Sequence, residues 1–379
     1  MMYEFGVQPL MSLDDVKARL PSCEEVWQGN LPDRQVDRLV PTMTLPEALE
    51  TLYIEKRLPA GLTEFSIGIL IHAIYRHTKE MLTMSRLRSW IPSATAEQRS
   101  TAQPNIALSS WLPSTQIASK WRNSACDSLD ILHWHANSKV AKSSGFEHHT
   151  ILHLHLARII ILTPTHCIQT LSGTIARTNH DGFGHNDRAR LTNARGELGN
   201  WVVRDRYKAR LAVIHCGALY WHVRRYSCDG LQEPYAIYIA TLVLWAFCIA
   251  MQLPEVVEAV ANDGEGVPNP VFCHLDRPLD DELVQLFVRV GHRMSPNISK
   301  VGNILDPQAA PKILWEGYSL LTAGSRPPVD TSSASAQFTW GIEESYAKSL
   351  NGILEVMLHF ETNATSQNGL TFPWGSTLV

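Results

Sequence analysis

The chain has 379 residues, 45% of them hydrophobic and 18% charged, which suffices for one large core or two smaller ones and argues against disorder. Its 33 basic and 37 acidic side chains give a net charge of -4, which excludes the basic footprint of a protein that holds nucleic acid by its phosphates. The seven cysteines, Cys23, Cys126, Cys167, Cys216, Cys228, Cys248 and Cys273, contain no C-x-x-C pair, so free thiols in a reducing compartment are expected.

Glu4, Asp14, Asp15 and Lys17 interrupt the apolar residues of the first twenty, which argues against a secretory signal. Beyond them the apolar residues recur with a helical period, and sustained alternation is scarce, so the fold class is all-α, a multi-helix bundle with long polar loops. Thr63 is placed to cap a helix that runs to about Arg88, with Phe65, Ile69, His72 and Tyr75 on one face. A second helix is predicted over Gln116 to Ala136, where Trp121, Ala125, Leu129, Leu132 and Ala136 form a stripe. A third runs from about His148 to Leu162 and stops before Pro164.

The segment Asp205 to Tyr226 predicts a helix with Leu211, Ile214, Ala218 and Trp221 toward the core and Arg224 and Arg225 complementing the dipole at its C-terminal end. Leu279, Leu283, Leu286, Phe287 and Val290 make the cleanest amphipathic stripe, with Asp280, Asp281 and Glu282 in its first turn. Polar stretches 92–114, 174–199 and 325–336 are expected to be loops, and a single domain is expected to span 1–379.

Tyr235 to Leu253 is 19 residues without a charge and would span about 28 Å as a helix, close to a bilayer core of about 30 Å. Thr241 and Gln252 inside it, and a buried central helix as an equal explanation of its composition, set that single-span reading below a core helix.

Sixteen histidines raise the question of a metal, and His149 and His153, at i and i+4, could share a helix face. His153 and His155 point about 200° apart, as do His133 and His135, so no helix by itself gathers three ligands. Glu147 does not stand in the order of a zinc protease. Ser345-Tyr346-Ala347-Lys348 matches S-x-x-K without its companion strings, Asp187 stands where a third glycine would complete a dinucleotide loop after Gly182 and Gly184, and Gly264-Glu265-Gly266 lacks the P-loop lysine. Trp27, Trp121, Trp201, Trp221, Trp245 and Trp315 fall in or beside helical stripes and are expected to anchor the core. The chain is therefore not expected to be an enzyme, and no catalytic, cofactor or metal residue is assigned.

Several ordered strings resemble the fungal-specific transcription factor domain, in the form that lies downstream of paired two-Cys, two-His zinc fingers. They are Leu20-Pro21 with Cys23 and Trp27, where Ser22 is an insertion, then Trp121-Arg122-Asn123, Asp130 to Trp134 and Leu152 to Arg158. Further on they are Ala209 to His215, Trp221 to Tyr226, Glu233-Pro234-Tyr235-Ala236 with Tyr238 to Trp245, Leu275-Asp276-Arg277-Pro278 with Asp280 to Arg289, Gly291 to Ser295, and Trp340-Gly341-Ile342 with Tyr346. The resemblance implies a helical regulatory body in the nucleus that acts on RNA polymerase II transcription. It implies transcriptional regulators or a small effector as partners, with self-association open and no membrane. No finger or binuclear cysteine cluster is present, so DNA contact and zinc are expected to belong to a missing module.

Overall fold

The computed structural model describes residues 11–13, 15–22, 26, 28–29, 43–59, 62–88, 116–140, 149–177, 184–261, 270–277, 281–323 and 340–365. The chain is mostly all-α, with one small three-stranded sheet among the described residues. It divides into two compact units, the first within residues 1–161 apart from 109–112 and the second taking 109–112 and 162–379.

The first unit contains α1 (Leu45–Glu50), a π-helical turn (Thr51–Glu55), α2 (Glu64–Arg88), α3 (Gln116–Val140) and most of α4 (His149–Leu162). α1 begins with a capping box: the backbone N–H of Thr44 donates to Glu47 Oε2 at 2.8 Å, which holds the Glu47 carboxyl below its usual range. Thr63 caps α2 as expected, its Oγ1 accepting from the Ser66 N–H at 3.1 Å. The buried face of α2 is Ile67, Leu70, Ile71 and Ile74, whereas Phe65 is 69% exposed and His72 also faces outward. Of the expected face Tyr75 is buried and Ile69 half-buried, so the face is shifted in part, because α2 is rich in apolar residues on more than one side and only its neighbours select among them. In α3 the predicted stripe holds, with Ala125, Leu129, Leu132 and Ala136 buried. Arg158 of α4 is buried yet paired, its guanidinium donating to Asp130 and to the Cys126 carbonyl.

The second unit contains α5 (Thr165–Ala176), α6 (His185–Arg204), α7 (Arg206–Tyr226), α8 (Glu233–Met251), α9 (Pro254–Ala261), β1 (Val271–His274), α10 (Asp281–Val290), β2 (Met294–Ile298), β3 (Gly302–Asn303), α11 (Ala309–Ala323) and α12 (Ile342–Thr365). The stretch 174–199 is not a loop where it is described. α5 runs to Ala176 and α6 starts at His185, burying only the thin stripe Leu191, Ala194, Leu198, Trp201 and Val202. A stripe that narrow, in a helix otherwise built of Arg, Asn and Glu, leaves a polar composition that reads as loop. The stretches 92–114 and 325–336 lie outside the described residues.

α8 is the axis of this unit and packs against α5, α6, α7, α11 and α12. Glu233 sets its start, accepting from the Cys228 N–H at 2.9 Å and from Ser227 Oγ at 2.5 Å. The most apolar 18-residue window of α8 is 83% buried, so the surface that would suit a bilayer faces protein. Two glycines permit the closest approaches. A Cβ at Gly317 of α11 would stand 2.2 Å from Thr241 Oγ1 of α8, and one at Gly217 of α7 would stand 2.4 Å from the Leu275 carbonyl oxygen.

α7 is a helix as predicted, and Ile214 of its expected stripe is buried, but the core side is mainly Ala209, Ala212, Val213, Cys216, Leu219 and Tyr220, while Leu211, Ala218 and Trp221 are half-buried. Arg210, itself buried, caps the C-terminus of α10 by donating to the carbonyls of Val288 at 3.0 Å and Arg289 at 3.2 Å. The α10 stripe is shallower than expected: Phe287 is buried, Leu286 is 38% exposed, and Leu279 lies outside the described residues. Its helix ends at Val290. Met294 and Ser295, placed with that helix by resemblance, instead open β2, where Met294, Pro296 and Ile298 alternate into the interior. Pro296 has no N–H to give a helix. The strand order is β1-β2-β3, with β1 parallel to β2 from Val271 beside Met294 to His274 beside Asn297, and β3 antiparallel to β2.

Candidate functional site

The site begins with α11, which has two working faces. Ile313, Leu314, Gly317 and Leu321 turn inward, while Pro311, Lys312, Trp315 and Ser319, at i, i+1, i+4 and i+8, line the opposite side. Leu354 and Leu358 of α12, one turn apart, complete an open groove of about 490 Å³, with Lys300 at one edge. Trp315 is 56% exposed and stacked on Tyr318, ring centroids 5.4 Å apart. Leu358 is 45% exposed.

Beneath the groove lies an ion-pair cluster. Arg224 Nη2 donates to Glu316 Oε1 at 2.9 Å and to the Ser299 carbonyl at 3.2 Å, and its Nη1 donates to Asp276 Oδ2 at 2.5 Å. Asp276 Oδ2 also accepts from the Ser299 N–H at 2.8 Å. Lys300 Nζ stands 3.5 Å from the same Glu316 oxygen. The side chain of Asp276 is fully buried and that of Glu316 is 4% exposed, so two carboxylates are removed from water and answered by Arg224 and Lys300. Arg224 lies over the Tyr220 ring, and the Tyr220 hydroxyl meets Thr241 Oγ1 at 2.7 Å. The groove wall is thus tied to α7 and α8 by directed bonds, which fixes the orientation of α11 and of Trp315 upon it.

Arg224 stands in the last turn of α7, as expected of a dipole complement, and also organises this cluster. Arg225 points outward over Trp221, 5.3 Å from the ring centroid. Trp201 and Trp245 anchor the core as expected, Trp201 donating to the Leu162 carbonyl at 3.0 Å. Trp315 departs from that expectation, and Trp27 lies outside the described residues. No family model, curated protein or solved structure matches the chain.

The histidines are dispersed in packing roles. His153 lies edge-on to His72, centroids 5.2 Å apart, and His133 to His155 at 5.1 Å, while the side chain of His149 lies outside the description. Among the described residues no three His, Cys, Asp or Glu side chains converge as a metal set. Lys348 of the S-x-x-K string is engaged by Glu344 at 2.6 Å on the exposed side of α12. The Gly264 string lies outside the described residues. Burial pushes the thiols of Cys167 and Cys248 up to about 12 and raises that of Cys216 well above its usual value, so these three are poor nucleophiles.

What the groove offers is contact: a large aromatic face, two leucines and a proline for apolar area, and two exposed ammonium groups at its margin. Sequence reasoning passed over it because a tryptophan in a helical stripe reads as core. The available signal was that Pro311, Lys312 and Trp315 fall on one side of α11 and Ile313, Leu314 and Gly317 on the other.

Proposed function

We propose that this chain is the regulatory region of a fungal transcription factor, working in the nucleus on RNA polymerase II transcription by contact and not by catalysis, with DNA reading supplied by another module. The observation that carries the contact reading is the α11–α12 groove, in which a half-exposed tryptophan stands on a helix tied down by a buried ion pair at the neighbouring Glu316. The family part of the reading is supported by the ordered strings. Leu152 to Arg158 fall on α4, Ala209 to His215 on α7 and Tyr238 to Trp245 on α8, so these three strings belong to helix interiors, where sequence order is constrained by packing.

The test joins the full chain to a heterologous DNA-binding module in a filamentous fungus, with that module's operator before a reporter gene. A change in reporter transcript relative to the module alone is expected. A transcript unchanged by the fusion, with the fusion shown by immunofluorescence to be in the nucleus, would remove the regulatory reading.

A further inference from the structure

We infer that the α11–α12 groove is a docking site for an acidic amphipathic helix of a partner protein. This deepens the contact reading above and rests on it.

The argument starts from shape. From Pro311 to Ser319 the groove face of α11 runs eight residue steps, about 12 Å, which matches two turns of a helix laid along it. Trp315, Leu354 and Leu358 supply the apolar strip that would receive residues spaced i, i+3 or i+4 and i+7 on such a helix. Trp315 and Leu358 keep about half of their surface open in the free protein, which a cavity enclosing a small molecule would not leave. The stacked Trp315–Tyr318 pair is the kind of rigid anchor on which binding energy concentrates.

Charge then selects the occupant. The chain carries a net charge of -4, yet the exposed charges at this groove are both positive. Lys312 is exposed, and no partner holds it among the described residues. The ammonium of Lys300 is 67% exposed but is spent on Glu316, so Lys312 is the charge of this lining left to meet a partner. Glu316, the acid of the lining, is buried and already answered by Arg224 and Lys300, so it does not oppose an incoming carboxylate. An apolar stripe flanked by Glu or Asp therefore fits, and one flanked by Lys or Arg meets like charge.

The experiment displays a library of helical peptides, leucine or phenylalanine at i, i+4 and i+7 with glutamate or lysine mixed at the flanking positions, and selects on the purified full chain. Enrichment of glutamate is expected. The selected peptide, followed by fluorescence anisotropy, should lose about tenfold or more in affinity on Trp315→Ala, several-fold on Lys312→Glu, and further as salt rises. Lys312→Glu should in turn accept the lysine-flanked version better than the parent does. Both positions are exposed, and circular dichroism of each variant should match the parent. No enrichment, enrichment of lysine, or binding indifferent to Trp315→Ala would overturn the inference. A dimer of the chain that Trp315→Ala dissolves would overturn it by giving the groove to a second copy. A chain that binds the acidic helix but leaves the reporter unchanged would keep this inference and lose the regulatory reading. A chain that changes the reporter but enriches no glutamate-flanked helix would do the reverse.

Discussion

Arg224 of α7 joins the segment after β1 to α11. Its guanidinium answers a fully buried Asp276 and a nearly buried Glu316, so deleting it leaves Asp276 without a cation in a low-dielectric interior and Glu316 with Lys300 alone. Arg224→Ala is expected to lower stability by about 3–5 kcal/mol, the range for breaking a buried pair from one side, as read by urea unfolding. Arg224→Lys, which keeps the charge and loses the fork that spans Asp276 and Glu316, should recover part of that loss. The thiols give a second prediction. Cys167 and Cys248 titrate near 12 in the fold against an ordinary value of 9.0, so the native state holds protons that the unfolded chain releases. Their contribution is complete below pH 9 and is lost as pH rises from 9 toward 12, at about 1.4 kcal/mol per thiol by pH 10. The fall in unfolding free energy between pH 8 and pH 10 should therefore be smaller in Cys248→Ala than in the parent, and equal slopes would contradict the assignment. In native protein at pH 8, iodoacetamide should label the exposed Cys228 well before Cys216 or Cys248.

Helix against helix, the approach of α11 to α8 rests on Gly317. A methyl there would meet Thr241 Oγ1 at 2.2 Å and Cγ2 at 2.4 Å, and Thr241 is pinned by its bonds to Tyr220 and to the Ile237 carbonyl, both 2.7 Å. Gly317→Ala should therefore destabilise by about 1–3 kcal/mol net, overriding the gain of about 1 kcal/mol that alanine brings to a helix. The double variant with Thr241→Ala should recover part of the loss in a thermodynamic cycle, whereas strict additivity would mean that the two residues do not oppose each other. The same close approach sets where Trp315 stands, since it lies on the other side of α11. Packing here positions the groove directly.

At the scale of the whole molecule, α8 carries the prediction that separates a core helix from a span. With 83% of its most apolar window already buried against protein, the full chain should stay in the supernatant on ultracentrifugation without detergent. Recovery solely with membranes would mean that α8 leaves its neighbours for lipid. What the sequence determined by itself was periodic and local: the helical class, the Thr63 cap, the α3 stripe from Ala125 to Ala136, and the halt before Pro164. These follow from the 3.6-residue repeat and from the chemistry of a few neighbouring residues. What only the tertiary structure decided was which face each helix buries and which charges meet. α2 and α7 carry apolar residues on several sides, so their core faces depended on what packs against them. Arg224, Asp276 and Glu316 are separated by 52 and 92 residues of chain and come together only when α7, the turn after β1 and α11 are in place. Trp315 looked like core for the same reason: periodicity shows that a helix has an apolar side, but the neighbour that covers it, or leaves it open as a groove, comes from distant chain.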